Sequence, residues 1–289
     1  MNKLRLKIGG VPEHYNYPWR VAIEEGLFNE EKISLHWSDI SGGTGQMIKG
    51  LETGSLDIAI VLTEGITRSI LKGLDAKVIQ IYVNSPLCWG IHVPFKSDIN
   101  KIADLEGYKF AISREASGSH LMAYVLAHQN SWDKMPENFN VVGDIYGGLW
   151  ALQNNEAQIF LWEKYTTQPF VNDKKCRRIG EVYTPWPSFV IAIRNDVLNK
   201  YSSEINKILN IINQRSNQVK HSNSTVENIS WRYNLDPNEV KRWLSKTDWD
   251  FNNSNLYQSV HSVVKYLKML GLINNNESLN WDKKVFNSN

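Results

Sequence analysis

Residues 56–65, LDIAIVLTEG, are a near-continuous apolar run, with Thr63 and Glu64 at its end. A strand that faces water on one side alternates, so a run like this predicts a strand buried on both faces. What surrounds it fits that demand. LRLKIGG (4–10) alternates and ends in Gly-Gly, PWRVAIEEGLF (18–28) carries a helical apolar stripe, and ISLHWSDI (33–40) reads as a strand. GQMIKGLETG (45–54) is a second helix stopped by Gly54, ITRSILKGL (66–74) a third, and AKVIQIYV (76–83) another strand. Strands alternating with helices at this spacing predict a mostly parallel sheet covered by helices on both faces. The same alternation returns between LCWGIHVPF (87–95) and AQIFLWEKY (157–165), and CRRIGEVY (176–183) leads into FVIAIRND (189–196). From there on the periodicity is helical. The expected class is therefore α/β in two lobes, residues 1–85 with 186–289 and residues 86–185. Crossings are expected at 80–92 and 183–193, because no Pro/Gly/Ser-rich linker separates the halves. SGGTGQMIKGLETGSLDIAI and ISREASGSHLMAYVLA each set a small-residue loop at a strand-to-helix junction, an internal echo.

Composition removes several function classes. The 289 residues carry 32 basic and 30 acidic side chains, net charge +2, which gives no polyelectrolyte signal for nucleic acid. No run approaches the roughly 18 apolar residues of a membrane span. MNKLRLKIGG reads as a charged lead-in to a strand, without an apolar core or a small-residue cleavage site, so a cytoplasmic chain is the expectation. Cys88 and Cys176 are the only cysteines, too few for a disulfide framework or a cysteine-based zinc site. His14, His36, His92, His120 and His128 fall in no metal-binding spacing.

The glycine turn at 41–45 is not a nucleotide cradle. Gly43-Thr44-Gly45 is followed by Gln46, Met47 and Ile48, so the third glycine of the dinucleotide fingerprint is missing, and Lys49-Gly50-Leu51 does not supply the Gly-Lys-Ser/Thr of a P-loop. Two readings remain. Gly43, Thr44 and Gly45 either make a tight turn with an ordinary cap, or offer unpaired helix-start N–H groups to a carboxylate, sulfonate or phosphate.

Taken in order, P-W-x-x-A-x-E-E-G-L-F at 18–28, the glycine loop, L-x-x-G-x-x-D-I-A at 51–59, D-L-E-G-Y-K-F-A-I at 104–112 and the S-G-S-H after it resemble the type II periplasmic-binding-protein-like superfamily over residues 4–200. The nearest branch is that of the sulfonate and taurine binders and the thiamine-pyrimidine group. I-F-L-W-E-K-Y-T-T-Q-P-F at 159–170 is most similar to a small set of uncharacterised fungal homologues without signal peptides. The resemblance implies a two-lobed clamp that closes on a small-molecule ligand, with no cofactor and no metal. It puts Gly43-Thr44-Gly45 and Ser117-Gly118-Ser119-His120 on the cleft, and Thr63 and Glu64 at its floor. One departure matters: the fungal pyrimidine synthase of this superfamily carries an iron-linked cysteine cluster and consumes a histidine, whereas Cys88 and Cys176 are isolated.

Further candidates each have two readings. Trp19 stacks a planar ligand or packs in the core. Trp162-Glu163 closes a strand at its carboxyl end, where open α/β sheets bind ligands, so Glu163 accepts from an amine or ring N–H, or is a solvated carboxylate beside a core Trp162. Trp186, fixed between two prolines, lines the cleft or only sets the crossing. Tyr146 follows a strand and reaches the cleft or does not. No G-x-S-x-G elbow is present, so Ser117-Gly118-Ser119 reads as a cap and anion cradle rather than a nucleophile, and no catalytic residue is assigned. The expected function is small-molecule binding, of a thiamine-pyrimidine precursor or a sulfonate-like anion. An enzyme of thiamine-pyrimidine biosynthesis and a transport component are the alternatives.

Overall fold

The computed structural model describes residues 3–115, 117–249, 253 and 255–286. The chain packs into two units, Met1–Ser85 with Trp186–Asn289, and Pro86–Pro185. In the first, β1 (Leu4–Gly10) leads through a single 3-10 turn into α1 (Tyr17–Glu24), then β2 (Ile33–Asp39), α2 (Gly43–Thr53), β3 (Ile58–Leu62) and α3 (Thr63–Leu71). Strand β4 (Ala76–Val93) carries the chain into the second unit. There follow β5 (Phe110–Ile112), α4 (Gly118–Gln129), β6 (Phe139–Val141), α5 (Ile145–Gln153), β7 (Ile159–Glu163) and α6 (Lys164–Asn172). Strand β8 (Arg177–Arg194) returns to the first unit, which ends in α7 (Asn195–Lys200), α8 (Ser202–His221), α9 (Thr225–Tyr233), α10 (Pro237–Lys246), α11 (Leu256–Met269), α12 (Asn275–Ser278) and α13 (Trp281–Val285).

Each unit has the mostly parallel sheet that the alternation predicts. In the first unit the order is β2-β1-β3-β8, with β1 parallel to β2 and β3, and β8 antiparallel to β3. In the second it is β6-β5-β7-β4, with β5 parallel to β6 and β7, and β4 antiparallel to β7. The apolar run is the reason β3 sits inside its sheet: Ile58 through Val61 are at most 1% exposed. Burying each such aliphatic side chain contributes about 1.5–3 kcal/mol. Helix α1 packs on α8 and α3 on α11. Gly50 lets α2 approach the following strand; a Cβ there would lie 2.8 Å from Leu56.

The two units repeat one βαβαβα plan, and side chains repeat with it. The backbone N–H of Lys7 donates to the Asp57 carboxylate at 2.8 Å while the Asp57 N–H donates to the Lys7 carbonyl. In the second unit Lys109 and Gln158 make the same reciprocal pair. Left-handed Gly54 (φ 71°) ends α2, and left-handed Asn155 (φ 58°) follows α5. This alignment corrects the internal echo. The loop before α2 corresponds to the one before α5, and Ser117, opening α4, corresponds to Asn16, opening α1.

Three boundaries differ from expectation. The runs at 76–83 and 87–95 are one strand, and so are 176–183 and 189–196. Thr63 and Glu64 are the first residues of α3, not the end of a strand. Residues 164–172 form a helix despite Pro169 inside it, because Glu163 caps it and accepts from the Thr166 N–H.

Candidate functional site

In a parallel sheet the carboxyl ends of the strands share one edge, and the backbone there leaves the ladder to open helices. Most of the sequence candidates stand on these edges.

In the first unit they gather around the end of β3. The Thr44 hydroxyl accepts from the Leu62 N–H at 3.1 Å, tying the start of α2 to that strand end. Gly43 adopts φ 66°, a left-handed conformation in which a side chain would be strained. Gln46 turns back to accept from the Gly42 N–H at 3.0 Å. Gly45 lies half-buried in the first turn. The Thr63 hydroxyl donates to the Pro187 carbonyl at 2.6 Å. One residue on, Glu64 is 2% exposed, and its Oε2 accepts from the Trp186 indole at 2.8 Å. Its Oε1 is buried with no partner among the described residues. Burial raises the Glu64 carboxyl from 4.5 to about 7, against hydrogen bonds from its own N–H and Trp186 that lower it. The ring of Trp186 meets Tyr266 edge-on.

In the second unit Ser117 caps α4, accepting from the His120 N–H at 3.3 Å. Its hydroxyl lies 3.0 Å from that of Ser119, which accepts from the Ser113 N–H at 2.9 Å. All three serines are buried. Gly118 is half-buried, and His120 meets the Tyr124 hydroxyl at 3.1 Å and Phe139 edge-on. Sequence reasoning passed over Arg114, two residues beyond β5. It is half-buried, its side chain makes no hydrogen bond or ion pair among the described residues, and burial lowers its pKa. A guanidinium drawn out of water beside a helix start is a seat for an anion. Its one signal was its position directly after the strand FAIS.

Glu163 repeats the theme of Glu64 with a different outcome. It is 4% exposed, and its Oε2 accepts from both the N–H (2.7 Å) and the hydroxyl (2.8 Å) of Thr166, while Oε1 has no partner among the described residues. Burial raises this carboxyl too, opposed by Thr166, the Tyr165 N–H and the Arg178 charge. The solvated reading of Glu163 is thereby corrected. Trp162 is half-buried and packs beside Phe160 on the core.

Two candidates stand apart. Trp19 is 0% exposed, packed between Phe28 and Tyr82, so the stacking reading gives way to the core one. Tyr146 lies in the first turn of α5, 69% exposed, with its ring edge-on to Phe170. Both cysteines are buried, which pushes the Cys88 thiol up to about 12 and the Cys176 thiol to about 11, well away from a reactive thiolate. Among the described residues no three His, Cys, Asp or Glu side chains converge as a metal site, and no helix is long and apolar enough to cross a membrane.

Comparison with known proteins bears on the whole arrangement. Residues 89–182 match the family model of the Ca3427-like PBP. The Candida albicans CA3427 gene product, described as having the generic periplasmic binding protein structural fold, is 25% identical over 98% of this chain and 95% of its own, with a TM-score of 0.88. The alkanesulfonate-binding protein SsuA of Xanthomonas axonopodis pv. citri, bound to MOPS, is 13% identical over 96% of each chain, TM-score 0.80. The nitrate-binding protein NrtA of Synechocystis PCC 6803 is 13% identical over 98% of this chain and 86% of its own, TM-score 0.74. No curated protein matches the chain. The fold that the ordered motifs resemble is the fold the chain has, and sulfonate binders stand among its structural relatives.

Proposed function

We propose that this chain, a member of the periplasmic-binding-protein-like superfamily, is a small-molecule binding protein whose ligand presents an amine or ring N–H to Glu64. The observation that carries this reading is the Glu64 carboxyl: buried, held at one oxygen by Trp186, and unpartnered at the other. A buried acceptor without a donor is costly, and a ligand N–H would remove that cost. An amino-heterocycle of the thiamine-pyrimidine type supplies such a group. A second reading, a sulfonate-like anion, is favoured by Arg114 and the serines at the start of α4. The lobe closure that the family resemblance implies belongs to the same proposal, and would lower the radius of gyration at saturating ligand.

The test is melting temperature against the aminopyrimidine half of thiamine, its phosphate, thiamine, taurine and methanesulfonate. A ligand at 100 times its dissociation constant adds about 2.7 kcal/mol of stability, an easily read shift. The expected result is a shift with the aminopyrimidines that Glu64→Gln weakens by about tenfold in affinity. A shift with taurine and methanesulfonate alone, lost in Arg114→Ala, would favour the anion reading. No shift with any of the five would overturn both.

A further inference from the structure

A second group of residues, which does not include Glu64, lines a half-open cavity of about 240 Å³ in the first unit, beside the ends of β1 and β2. That is about eight times the volume a water molecule occupies in the liquid, room for one small molecule. Asn16, Arg20, Trp37, Asp39, Arg232 and Tyr233 supply its polar lining.

Asn16 is the cap residue of α1, and asparagine is among the best residues for that role. Yet its side chain makes no cap hydrogen bond. Its amide nitrogen donates instead to the Val11 carbonyl at 2.9 Å, which fixes the plane of the carboxamide. The oxygen is left buried with no partner among the described residues, on a residue only 2% exposed. The surrounding walls are hydrogen-bonded to one another. Trp37 donates its indole N–H to Asp39 at 2.8 Å, and both Asp39 oxygens lie 3.1 Å from Arg20, whose guanidinium sits over the Trp37 ring. Gly10 makes the approach possible, since a Cβ there would come within 2.6 Å of Trp37 and 2.7 Å of the Asn16 amide. Arg232 pairs with Glu24 at the rim, and the Tyr233 hydroxyl has no hydrogen bond among the described residues.

The chemistry of the lining is asymmetric. Arg20 and Arg232 line the cavity with one carboxylate, Asp39, which is already engaged by Trp37 and Arg20, while Glu24, outside the lining, lies 3.9 Å from Arg20 and pairs with Arg232. Each guanidinium carries five N–H donors, more than its present partners use. The lining therefore combines spare guanidinium N–H donors with one buried, unpartnered acceptor. We propose that it is a binding site for a small molecule joining an amide-like N–H to a carboxylate, the N–H donated to Asn16 Oδ1 and the carboxylate received by Arg232 and Arg20.

N-acetylglycine carries both groups in one small molecule, and N-acetylsarcosine differs by a methyl in place of the N–H. Titration of each into the full chain is followed by the Trp37 indole N–H resonance, assigned by its loss in Trp37→Phe. The expected result is a saturable shift with N-acetylglycine and binding about tenfold weaker for N-acetylsarcosine, the penalty for leaving a buried acceptor unpaired. Arg232→Gln weakens N-acetylglycine by a similar factor, and Glu64→Gln leaves it unchanged. Equal affinity for the two compounds, or no movement of the Trp37 resonance, overturns the proposal, and neither readout depends on an Asn16 variant that folds. An effect of Glu64→Gln as large as that of Arg232→Gln would overturn the separation of the two sites.

Discussion

The first and second units use the same βαβαβα plan, the same strand order and the same Asp57/Gln158 bridge, yet they diverge wherever a strand ends. At the start of the first helix one unit has Asn16, which declines to cap and faces a cavity, and the other has Ser117, which caps. After the third strand one has Glu64, in the first turn of α3 and bonded across to Trp186, and the other has Glu163, which caps α6. The shared features hold backbone to backbone. The divergent ones are side chains at the carboxyl edge, which the plan does not need and a ligand could use. A repeated scaffold with unlike edges is what one fold carrying a specific site should look like.

The contrast is sharpest three residues beyond the helix caps, at Trp19 and His120. Trp19 is fully buried and His120 half-buried at its unit's edge. Trp19→Ala should cost about 3–5 kcal/mol, as large aromatic truncations in cores do. His120→Ala should cost about 1 kcal/mol. Urea unfolding of the two variants measures both, and equal losses would mean the two helix starts are alike in role.

The two buried glutamates should separate by pH. The folded state holds the Glu64 proton more tightly than the unfolded chain, so its contribution is full below the ordinary value of 4.5 and is lost as pH rises through about 7. The loss over that window is about 3 kcal/mol. Glu64→Gln should flatten the dependence of stability on pH across it. Glu163 is raised in the same sense, but Thr166 donors and Arg178 stabilise its ionised form, so Glu163→Gln should flatten the curve less. Chemical denaturation at pH 4.5, 6 and 8 decides the order, and a larger effect at Glu163 would reverse the comparison.

The shared bridge differs in charge and in length, and Gln158 also donates to Asn155. The Asp57 carboxylate accepts a charge-assisted bond from the Lys7 N–H, and the Gln158 amide accepts a neutral and longer one, 3.3 Å, from Lys109. Asp57→Ala should therefore cost about 1.5–3 kcal/mol and Gln158→Ala about 0.5–1.5 kcal/mol. Equal costs would show that the bridge works by geometry alone.

How far the sequence could be read follows the same division. The apolar β3, the stop at Gly54 and the strand-like crossings were legible, because periodicity and glycine geometry are local. Helix α6 was not, because Pro169 and two threonines argue against a helix that a capping carboxylate and its packing nonetheless hold. The burial of Trp19 was not legible either, since Pro-Trp at a helix start suits a core and a cleft equally. Arg114 and Asn16 escaped because what marks them is a missing partner, which only the packed chain reveals. The true repeat was available: Leu51-x-x-Gly54-x-x-Asp57-Ile58 and Leu152-x-x-Asn155-x-x-Gln158-Ile159 have one spacing. The small-residue loops drew attention elsewhere.

That spacing carries the finest comparison. Gly54 and Asn155 hold the same left-handed turn after equivalent helices. Asparagine tolerates the conformation better than other side chains, and glycine adopts it without steric cost. Asn155→Gly should thus change stability by only a few tenths of a kcal/mol, with the relief of native strain offset by the freer unfolded chain and the loss of an exposed hydrogen bond from Gln158. Gly54→Asn should cost more, up to about 1 kcal/mol, because a Cβ there meets the end of the Arg194 side chain, which would have to move. Arg194 pairs with Asp196 next to it, so the movement also loosens a surface ion pair. Thermal melts of the two single variants separate the cases. Equal small shifts would mean that Arg194 yields freely and that the turn is interchangeable between the units.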